Sequence, residues 1–185
     1  MKMDTGDKKA VFLGRFQPLH VGHRKAIENT RDRFGELVVA VGSADKSREE
    51  DNPLSFEERK AIIEDCFPEL RIVPVEDDEK DEEGNRRWAE KIEEELGADV
   101  VVSNNDLVKE LVEEHTSMEA VEQEMHEPDV YSGTEVRRRI RSGEEWRYLV
   151  PECARDRIEQ HIEAIQDSGI QYEFRPGWKK ENIQN

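Results

Sequence analysis

The chain has 185 residues, of which 28 are Lys or Arg and 45 are Asp or Glu, so its formal net charge is −17. A protein that binds nucleic acid regardless of sequence needs a net basic surface, so this composition excludes that class. It also argues against adhesion to anionic membranes. No stretch approaches the ~18 apolar residues that a membrane span requires.

The high charge has two explanations, which are disorder and a folded protein with an acidic surface. Apolar runs recur at regular intervals, and this favours the folded protein. Carboxylates keep a surface hydrated in concentrated salt, and at ~1 M salt a Debye length of ~3 Å nearly removes their mutual repulsion. The composition therefore predicts a halophilic protein whose stability and activity rise from low to molar KCl.

The two cysteines, Cys66 and Cys153, are far apart and form no CxxC motif. We interpret them as small buried apolar side chains in a reducing cytoplasm, which predicts neither a disulfide framework nor a thiolate zinc site. Residues 1–8 are polar, lack an apolar signal-peptide core, and are expected to form a flexible leader.

Strand-like apolar runs alternate with helical patterns along the chain. Strands are predicted at 10–14, 37–41, 70–75 and 99–103, and a short fifth strand is expected near the end of the less clear stretch 116–131. Helices are predicted at 21–34, 55–66, 87–96, 106–115, 134–142 and 152–168, with a solvated acidic loop at 76–83. The alternation indicates one α/β domain with a parallel sheet over 9–168, and a polar tail at 169–185.

The loop after the first strand reads GRFQPLHVGH, residues 14–23. His20 and His23 would share one face at the start of a helix, whose free N–H groups attract phosphate. Gly22 is expected to clear space for that phosphate, and Arg15 supplies a planar cation. The histidine pair could instead bind a metal or simply cap the helix.

A second motif, YSGTEVRRRI at 131–140, has capping-box spacing between Ser132 and Glu135, which predicts another helix start. Ser132, Thr134 and Arg137 could all donate to one phosphate chain at that helix end. Three further arginines are expected to pair with acidic neighbours instead, namely Arg138, Arg139 and Arg141.

The string at 14–23 resembles the HxGH signature of the nucleotidylyltransferase superfamily, in the form typical of archaeal-type nicotinamide-mononucleotide (NMN) adenylyltransferases. The string at 131–140 resembles the second signature of that family, which holds the ATP β- and γ-phosphates. The resemblance covers about residues 9–165. It implies a Rossmann-like, three-layer α/β/α fold with about five parallel strands.

The resemblance also implies a reaction, in which AMP passes from ATP to NMN to give NAD and pyrophosphate, with Mg²⁺ bound through the ATP phosphates. No metal site made by the protein itself is predicted. The implied catalytic residues are His20, His23, Arg15 and Arg137. The implied ATP-binding residues are Gly14, Arg15, Phe16, His20, Gly22, His23, Ser132, Gly133, Thr134 and Arg137. The implied NMN-binding residues are Ser43, Asn85, Trp88 and Asn104. A homo-oligomer is expected.

Three alternatives remain open from the sequence. A sister enzyme could use another acceptor, such as pantetheine phosphate, FMN or a polyol phosphate. A non-catalytic nucleotide sensor could share the fold, and a zinc module could use His20 and His23, although no further His or Cys is spaced to complete four ligands. Trp88 could be a core residue rather than a stacking platform. The chain also departs from the family in having Asp51 in a loop where an Arg is usual.

Overall fold

The computed structural model describes residues 5–173, in which five strands alternate with helices. The strands are β1 (Lys9–Gly14), β2 (Glu36–Val41), β3 (Arg71–Pro74), β4 (Val100–Ser103) and β5 (Glu119–Glu122). The helices are α1 (Val21–Arg33), α2 (Phe56–Cys66), α3 (Glu82–Leu96), α4 (Asp106–His115), α5 (Gly133–Ser142), α6 (Glu152–Gln160) and α7 (Ile162–Glu173), with a 3-10 turn at Arg147–Leu149. Within this range every helix is too short or too polar to traverse a lipid bilayer.

The strands form one sheet in the order β3-β2-β1-β4-β5, and all four pairings are parallel. The chain winds outward from β1 to β3 on one side and from β4 to β5 on the other. The winding direction therefore reverses between β1 and β4, where open α/β sheets hold their ligands beyond the carboxyl ends of the strands. Pro74 lies on the edge strand β3, as its missing N–H predicts.

Two apolar layers cover the two faces of the sheet. One face of β1 carries Phe12, which packs in a cluster with side chains of α1, α2, α5, α6 and α7. The other face carries Val11, which packs with side chains of α3 and α4. Strands buried on both faces explain the near-continuous apolar runs in the sequence. The three-layer α/β/α fold expected from the resemblance is confirmed.

Helix α3 begins earlier than predicted. It starts at Glu82 rather than Arg87, within the run that the sequence assigned to a loop. The Asp81 side chain caps the helix by accepting a hydrogen bond from the N–H of Gly84 at 2.7 Å. Acidic residues in a first helical turn are stabilised by the helix dipole, so this charge run supports a helix start.

Two further predictions were wrong, namely the position of the fifth strand and the continuity of the last helix. Strand β5 lies at the beginning of the stretch 116–131 rather than near its end, because Ala120 and Val121 pair with β4 there. The single helix predicted at 152–168 is two helices that meet at His161, where the backbone leaves helical geometry.

The two cysteines form a disulfide, so the prediction of two separate thiols was wrong. Cys66 is the last residue of α2 and Cys153 lies in the first turn of α6, with their Cα atoms 5.3 Å apart. The 87 residues between them conceal this proximity in the sequence. Helices α2 and α6 pack side by side on the same face of the sheet, and this brings the two side chains together.

The two chain ends fall only partly within the described range. The predicted leader includes residues 1–4, and the predicted tail includes 174–185, all of which lie outside the described residues. Residues 5–8 lie against the α1–β2 turn, where the Thr5 hydroxyl donates to the carbonyl of Arg33 at 2.6 Å and the N–H of Gly35 donates to the carbonyl of Lys8 at 3.1 Å.

Candidate functional site

A cleft of about 390 Å³ opens at the carboxyl ends of β1 and β4, where the sheet topology places a ligand site. Most of the residues singled out from the sequence line it, namely Gly14, Arg15, Phe16, His20, His23, Ser43, Trp88, Asn104, Ser132, Gly133, Thr134 and Arg137. Gly22 and Asn85 do not. The fold therefore assembles one site from loops that are up to 120 residues apart in sequence.

The two histidines cap helix α1 reciprocally. The N–H of His23 donates to Nδ1 of His20, and the N–H of His20 donates to Nδ1 of His23, both at 3.3 Å. The rings lie 3.7 Å apart, and the Phe16 ring lies 4.6 Å from that of His23. Helix capping, an alternative interpretation of the pair, thus describes what their Nδ1 atoms do, while the rings remain on the wall of the cleft.

Burial sets the protonation state of this pair. Desolvation lowers the pKa of His20 to about 4. Desolvation also lowers the pKa of His23, and repulsion from a protonated His20 lowers it further. Both rings are therefore neutral at pH 7. Because each Nδ1 accepts a hydrogen bond, the ring proton resides on Nε2, which leaves Nε2–H as the donor of each ring.

Gly22 packs closely against the capping histidine. A Cβ at this position would lie 2.8 Å from Cε1 and 2.9 Å from Nδ1 of His20. The missing side chain therefore makes room for the capping imidazole of His20, and its expected clearance for a phosphate stays a prediction. Gly22 also acts on the cleft indirectly, because it allows His20 to adopt its capping position.

Arg137 connects the second motif to the first. Its side chain is only 6% exposed, and Nη1 donates to the carbonyl of Gln17 at 2.8 Å. Nη2 lies 3.4 Å from the Thr134 hydroxyl and 3.6 Å from the Asp51 carboxylate, while the buried Nε has no hydrogen-bond partner in the described part of the chain. Burial lowers the Arg137 pKa to about 10, so the side chain is still a cation at pH 7.

Gly133 permits this close approach. A Cβ there would lie 3.1 Å from Nη1 of Arg137 and 3.2 Å from the carbonyl oxygen of Gln17. Beside it, the Ser132 hydroxyl accepts a hydrogen bond from the N–H of Glu135 at 3.1 Å and so begins α5. The N-termini of α1 and α5 therefore meet at the same cleft, and each offers free N–H groups.

Only half of the capping box at α5 forms, because the Glu135 carboxylate binds arginines instead. It accepts hydrogen bonds from Arg138 at 2.8 Å and from Arg139 at 2.8 Å, and Arg138 also pairs with Glu144. The expected acidic partners of these two arginines are confirmed. Arg141 differs: it donates to main-chain carbonyls, to Ile165 at 3.1 Å and Glu50 at 2.6 Å.

Elsewhere in the cleft lining, a serine and an aspartate that follow neighbouring strands bind each other. The Ser43 hydroxyl lies 2.9 and 3.1 Å from the two carboxylate oxygens of Asp77. Trp88 is half-buried, because it packs against the α3–α4 core layer on one side and lines the cleft on the other. Both interpretations of Trp88 are thus compatible with its position. Asn85 lies on α3 outside the cleft lining.

Several polar residues in or beside the cleft went unrecognised in the sequence, among them Gln17, Arg59 and Asp77. The buried Gln17 amide donates to the carbonyl of Leu54 and accepts from its N–H, both at 2.9 Å. Arg59 is fully buried and contacts the two loops that follow β1 and β2. Gln17 belongs to the first motif and could have been weighed there, but nothing near Arg59 in the sequence distinguishes it from a surface cation of an amphipathic helix.

Metal ligands are sparse in the described range. Within residues 5–173 no group of three or more His, Cys, Asp or Glu side chains is placed to hold a metal ion. The cleft lining includes the cations Arg15 and Arg137. The arrangement suits a polyanion, because fixed cations, neutral imidazole donors and helix N-termini all face one space.

Solved structures of low sequence identity share this fold. The bifunctional NMN adenylyltransferase/ADP-ribose pyrophosphatase of Francisella tularensis superposes with a TM-score of 0.75 at 19% identity over 91% of this chain. This chain spans about half of that protein, 54% of its length. The same protein complexed with AMP and a Mn ion superposes with a TM-score of 0.71.

Sequence comparison is more specific. A family model described as cytidylyltransferase-like matches residues 11–139. The nicotinamide-nucleotide adenylyltransferase of Halobacterium salinarum is 35% identical over 85% of this chain and 90% of its own length. The nicotinamide-nucleotide adenylyltransferase of Archaeoglobus fulgidus is 32% identical over 82% of this chain and 91% of its own length. With both signature loops meeting at one cleft, the chain belongs to the cytidylyltransferase-like family and, within it, to the nicotinamide-nucleotide adenylyltransferases.

Proposed function

We propose that the chain transfers AMP from ATP to the 5′-phosphate of NMN and releases NAD and pyrophosphate. The observation that carries this proposal is the joining of the two signature motifs, in which Arg137 of α5 donates to the carbonyl of Gln17 in the β1–α1 loop. One triphosphate can therefore contact both helix N-termini at once. The family membership supports the nucleotide pair.

The reaction requires no protein nucleophile. An oxygen of the NMN phosphate attacks the α-phosphorus of ATP, the bond from that phosphorus to the bridging oxygen breaks, and pyrophosphate leaves with the bond's electron pair. The attacking phosphate is already anionic, so catalysis consists of alignment and charge stabilisation. The chain needs donors and cations around the α-phosphoryl group, and the cleft provides both.

At the ATP end we assign the Nε2–H donors of His20 and His23 to the α-phosphoryl oxygens. Their lowered pKa values keep the rings neutral, so they donate hydrogen bonds without a change of protonation. Arg15 and Arg137 neutralise phosphate charge. The unpartnered Nε of Arg137 supports its role, because a buried donor without an acceptor is costly until a ligand supplies one. We also assign ATP contacts to Gly14 and Phe16 in the β1–α1 loop and to Ser132 and Thr134 at the start of α5.

At the acceptor end we assign ring stacking to Trp88 and polar contacts to Ser43 and Asn104, all of which line the cleft. Asn85 was expected to contact the nicotinamide nucleotide as well. Because Asn85 does not line the cleft, the proposal for this end rests on the other three residues.

A divalent cation accompanies the triphosphate in our proposal, and Mg²⁺ is the ion we expect. Bound to the phosphates, it would neutralise charge on the departing pyrophosphate. The residues around the phosphate end fit such an arrangement, because arginines and imidazoles bind phosphate oxygens and leave the metal to be held by other oxygens of the triphosphate. We also propose a homo-oligomer in which the catalytic domain spans residues 9–168.

One assay tests the function. The protein is incubated in molar KCl with ATP, Mg²⁺ and one acceptor at a time, chosen from NMN, pantetheine phosphate and FMN, and pyrophosphate and dinucleotide are both measured. We expect NAD and pyrophosphate in equal amounts with NMN. Turnover with another acceptor alone would identify a sister enzyme. Nucleotide binding without pyrophosphate would identify a sensor.

A further inference from the structure

Arg59 of α2 is the largest fully buried side chain of the described residues and is 0% exposed. It makes five hydrogen bonds, and all of them go to main-chain carbonyls. Nε donates to Ser55 at 3.2 Å, Nη1 donates to Arg15 at 3.0 Å and to Gly42 at 2.8 Å, and Nη2 donates to Ser43 at 3.0 Å and to Lys46 at 3.4 Å. A buried cation is tolerated only when such bonds replace its lost hydration.

The acceptors belong to two neighbouring loops that both border the cleft. Arg15 lies in the β1–α1 loop and is assigned above to ATP, while Gly42 and Ser43 follow β2 and Ser43 is assigned above to the acceptor nucleotide. Nη1 contacts one acceptor in each loop, so one nitrogen atom connects them directly. Arg59 itself does not line the cleft, so it can act only through these loops.

Both loops are strained next to the bound carbonyls. Phe16, which follows Arg15, has a φ of 53°, and Ser43 has a φ of 48°. Non-glycine residues occupy this left-handed region only when surrounding contacts hold them there. The guanidinium provides such contacts on both loops. Ser43 also places its hydroxyl on the Asp77 carboxylate in this conformation.

We propose that Arg59 is a positioning residue, whose guanidinium holds the Arg15 loop and the Ser43 loop in register so that ATP and the acceptor nucleotide are bound in alignment. This rests on the proposed function. Burial and the neighbouring Arg15 charge lower the pKa of Arg59 to about 10, although the nearby carboxylates of Asp45 and Asp77 favour its charged form. At pH 7 the guanidinium is therefore charged and all of its donors are available.

A lysine cannot replace this geometry, because a single ammonium group has three donors at one point and no planar fork. We therefore expect Arg59→Lys to raise the KM for ATP and the KM for NMN together, each about tenfold, while the circular dichroism spectrum stays native. A residue that supports only one end of the cleft should instead raise the KM for one nucleotide. An increase in both KM values with an unchanged circular dichroism spectrum distinguishes lost positioning from a general loss of stability.

Ile62→Val is the matched control, because Ile62 lies on the same helix, is buried in the core and has no polar side-chain atom that could bond to either loop. It should lower the Tm with both KM values unchanged. Unchanged KM values in Arg59→Lys, or equal KM changes in Ile62→Val, would overturn the proposal. If Arg59→Lys does not fold in molar KCl, Arg59→Gln is tested in its place. If neither variant folds, Arg59 serves to stabilise the fold and the proposal is overturned. Wild-type protein assayed in parallel reports separately on the proposed function.

Discussion

Arg137 donates a hydrogen bond to the main-chain carbonyl of Gln17 at 2.8 Å, across 120 positions of sequence. The Gln17 side chain in turn binds both main-chain groups of Leu54, which precedes α2. These bonds fix the relative position of the α1 and α5 N-termini. Contacts between the two signature loops thus hold the cleft together.

Substituting His23 should abolish turnover. His23→Ala removes one Nε2–H donor from the cleft, and the loss of one such donor typically lowers kcat by about 100- to 1000-fold. It also removes the acceptor for the His20 N–H, which should cost about 1 kcal/mol of stability. Steady-state kinetics and circular dichroism check both expectations. Arg24→Ala, an exposed neighbour paired with Glu28, is the control and should retain activity; a near-native rate in His23→Ala would exclude the assigned role.

The histidine pair should make the fold sensitive to mild acid. The pKa of His20 is about 4 in the folded protein, below its ordinary 6.5, so the unfolded chain takes up the proton first as the pH falls. This contribution is fully present above pH 6.5 and is lost as the pH falls towards 4, by roughly 2 kcal/mol between pH 7 and pH 5.

His20→Asn isolates this effect, because asparagine caps helices well and does not titrate. Chemical denaturation at pH 7 and pH 5 should show a smaller loss of stability in this variant than in the wild type. Equal losses in the two proteins would mean that His20 does not titrate as its burial indicates.

Substituting Trp88 should change the KM values for the two substrates unequally. Trp88→Ala is expected to raise the KM for NMN about fivefold and the KM for ATP less than twofold, because stacking on an aromatic ring contributes about 1 kcal/mol. Trp88→Phe retains an aromatic ring and the packing against α3 and α4, so its KM for NMN should lie near the wild-type value. Equal increases for both nucleotides would identify Trp88 as a packing residue.

Asp51 should weaken ATP binding at low salt. Its carboxylate lies 3.6 Å from Nη2 of Arg137 and is 71% exposed, so it competes with an incoming phosphate. We expect Asp51→Asn to lower the KM for ATP about two- to fivefold in dilute buffer and to have no effect in molar KCl, where the Debye length is ~3 Å. Glu49→Gln removes the same charge from the same loop and is the control. A salt-independent effect of Asp51→Asn would contradict this account.

Reduction should destabilise the protein. The Cys66–Cys153 bond closes a long loop, and such cross-links contribute about 2–4 kcal/mol, chiefly by restricting the unfolded chain. Denaturation with and without dithiothreitol should therefore differ by that amount. Cys153→Ser should match the reduced wild type and should not respond to the reductant. Identical wild-type curves would show that the bond does not contribute to stability.

Local sequence patterns were sufficient for most of the fold. The strands of the parallel sheet and the helix starts at Ser55 and Ser132 follow from apolar periodicity and capping residues, which act within a few positions. Errors occurred where local signals conflict. The acidic run before α3 is typical of a solvated loop, but Asp81 turns it into a helix start.

Residues that lie close together in the chain encode the α/β architecture and the two signature loops, and composition alone encodes the acidic surface. Which distant groups meet follows from strand pairing and helix packing. The disulfide, the Arg137–Gln17 bond and four of the five bonds of Arg59 join segments whose proximity depends on how helices pack on the sheet. A main-chain carbonyl accepts a hydrogen bond whatever its side chain, so such partners leave no signal in the sequence.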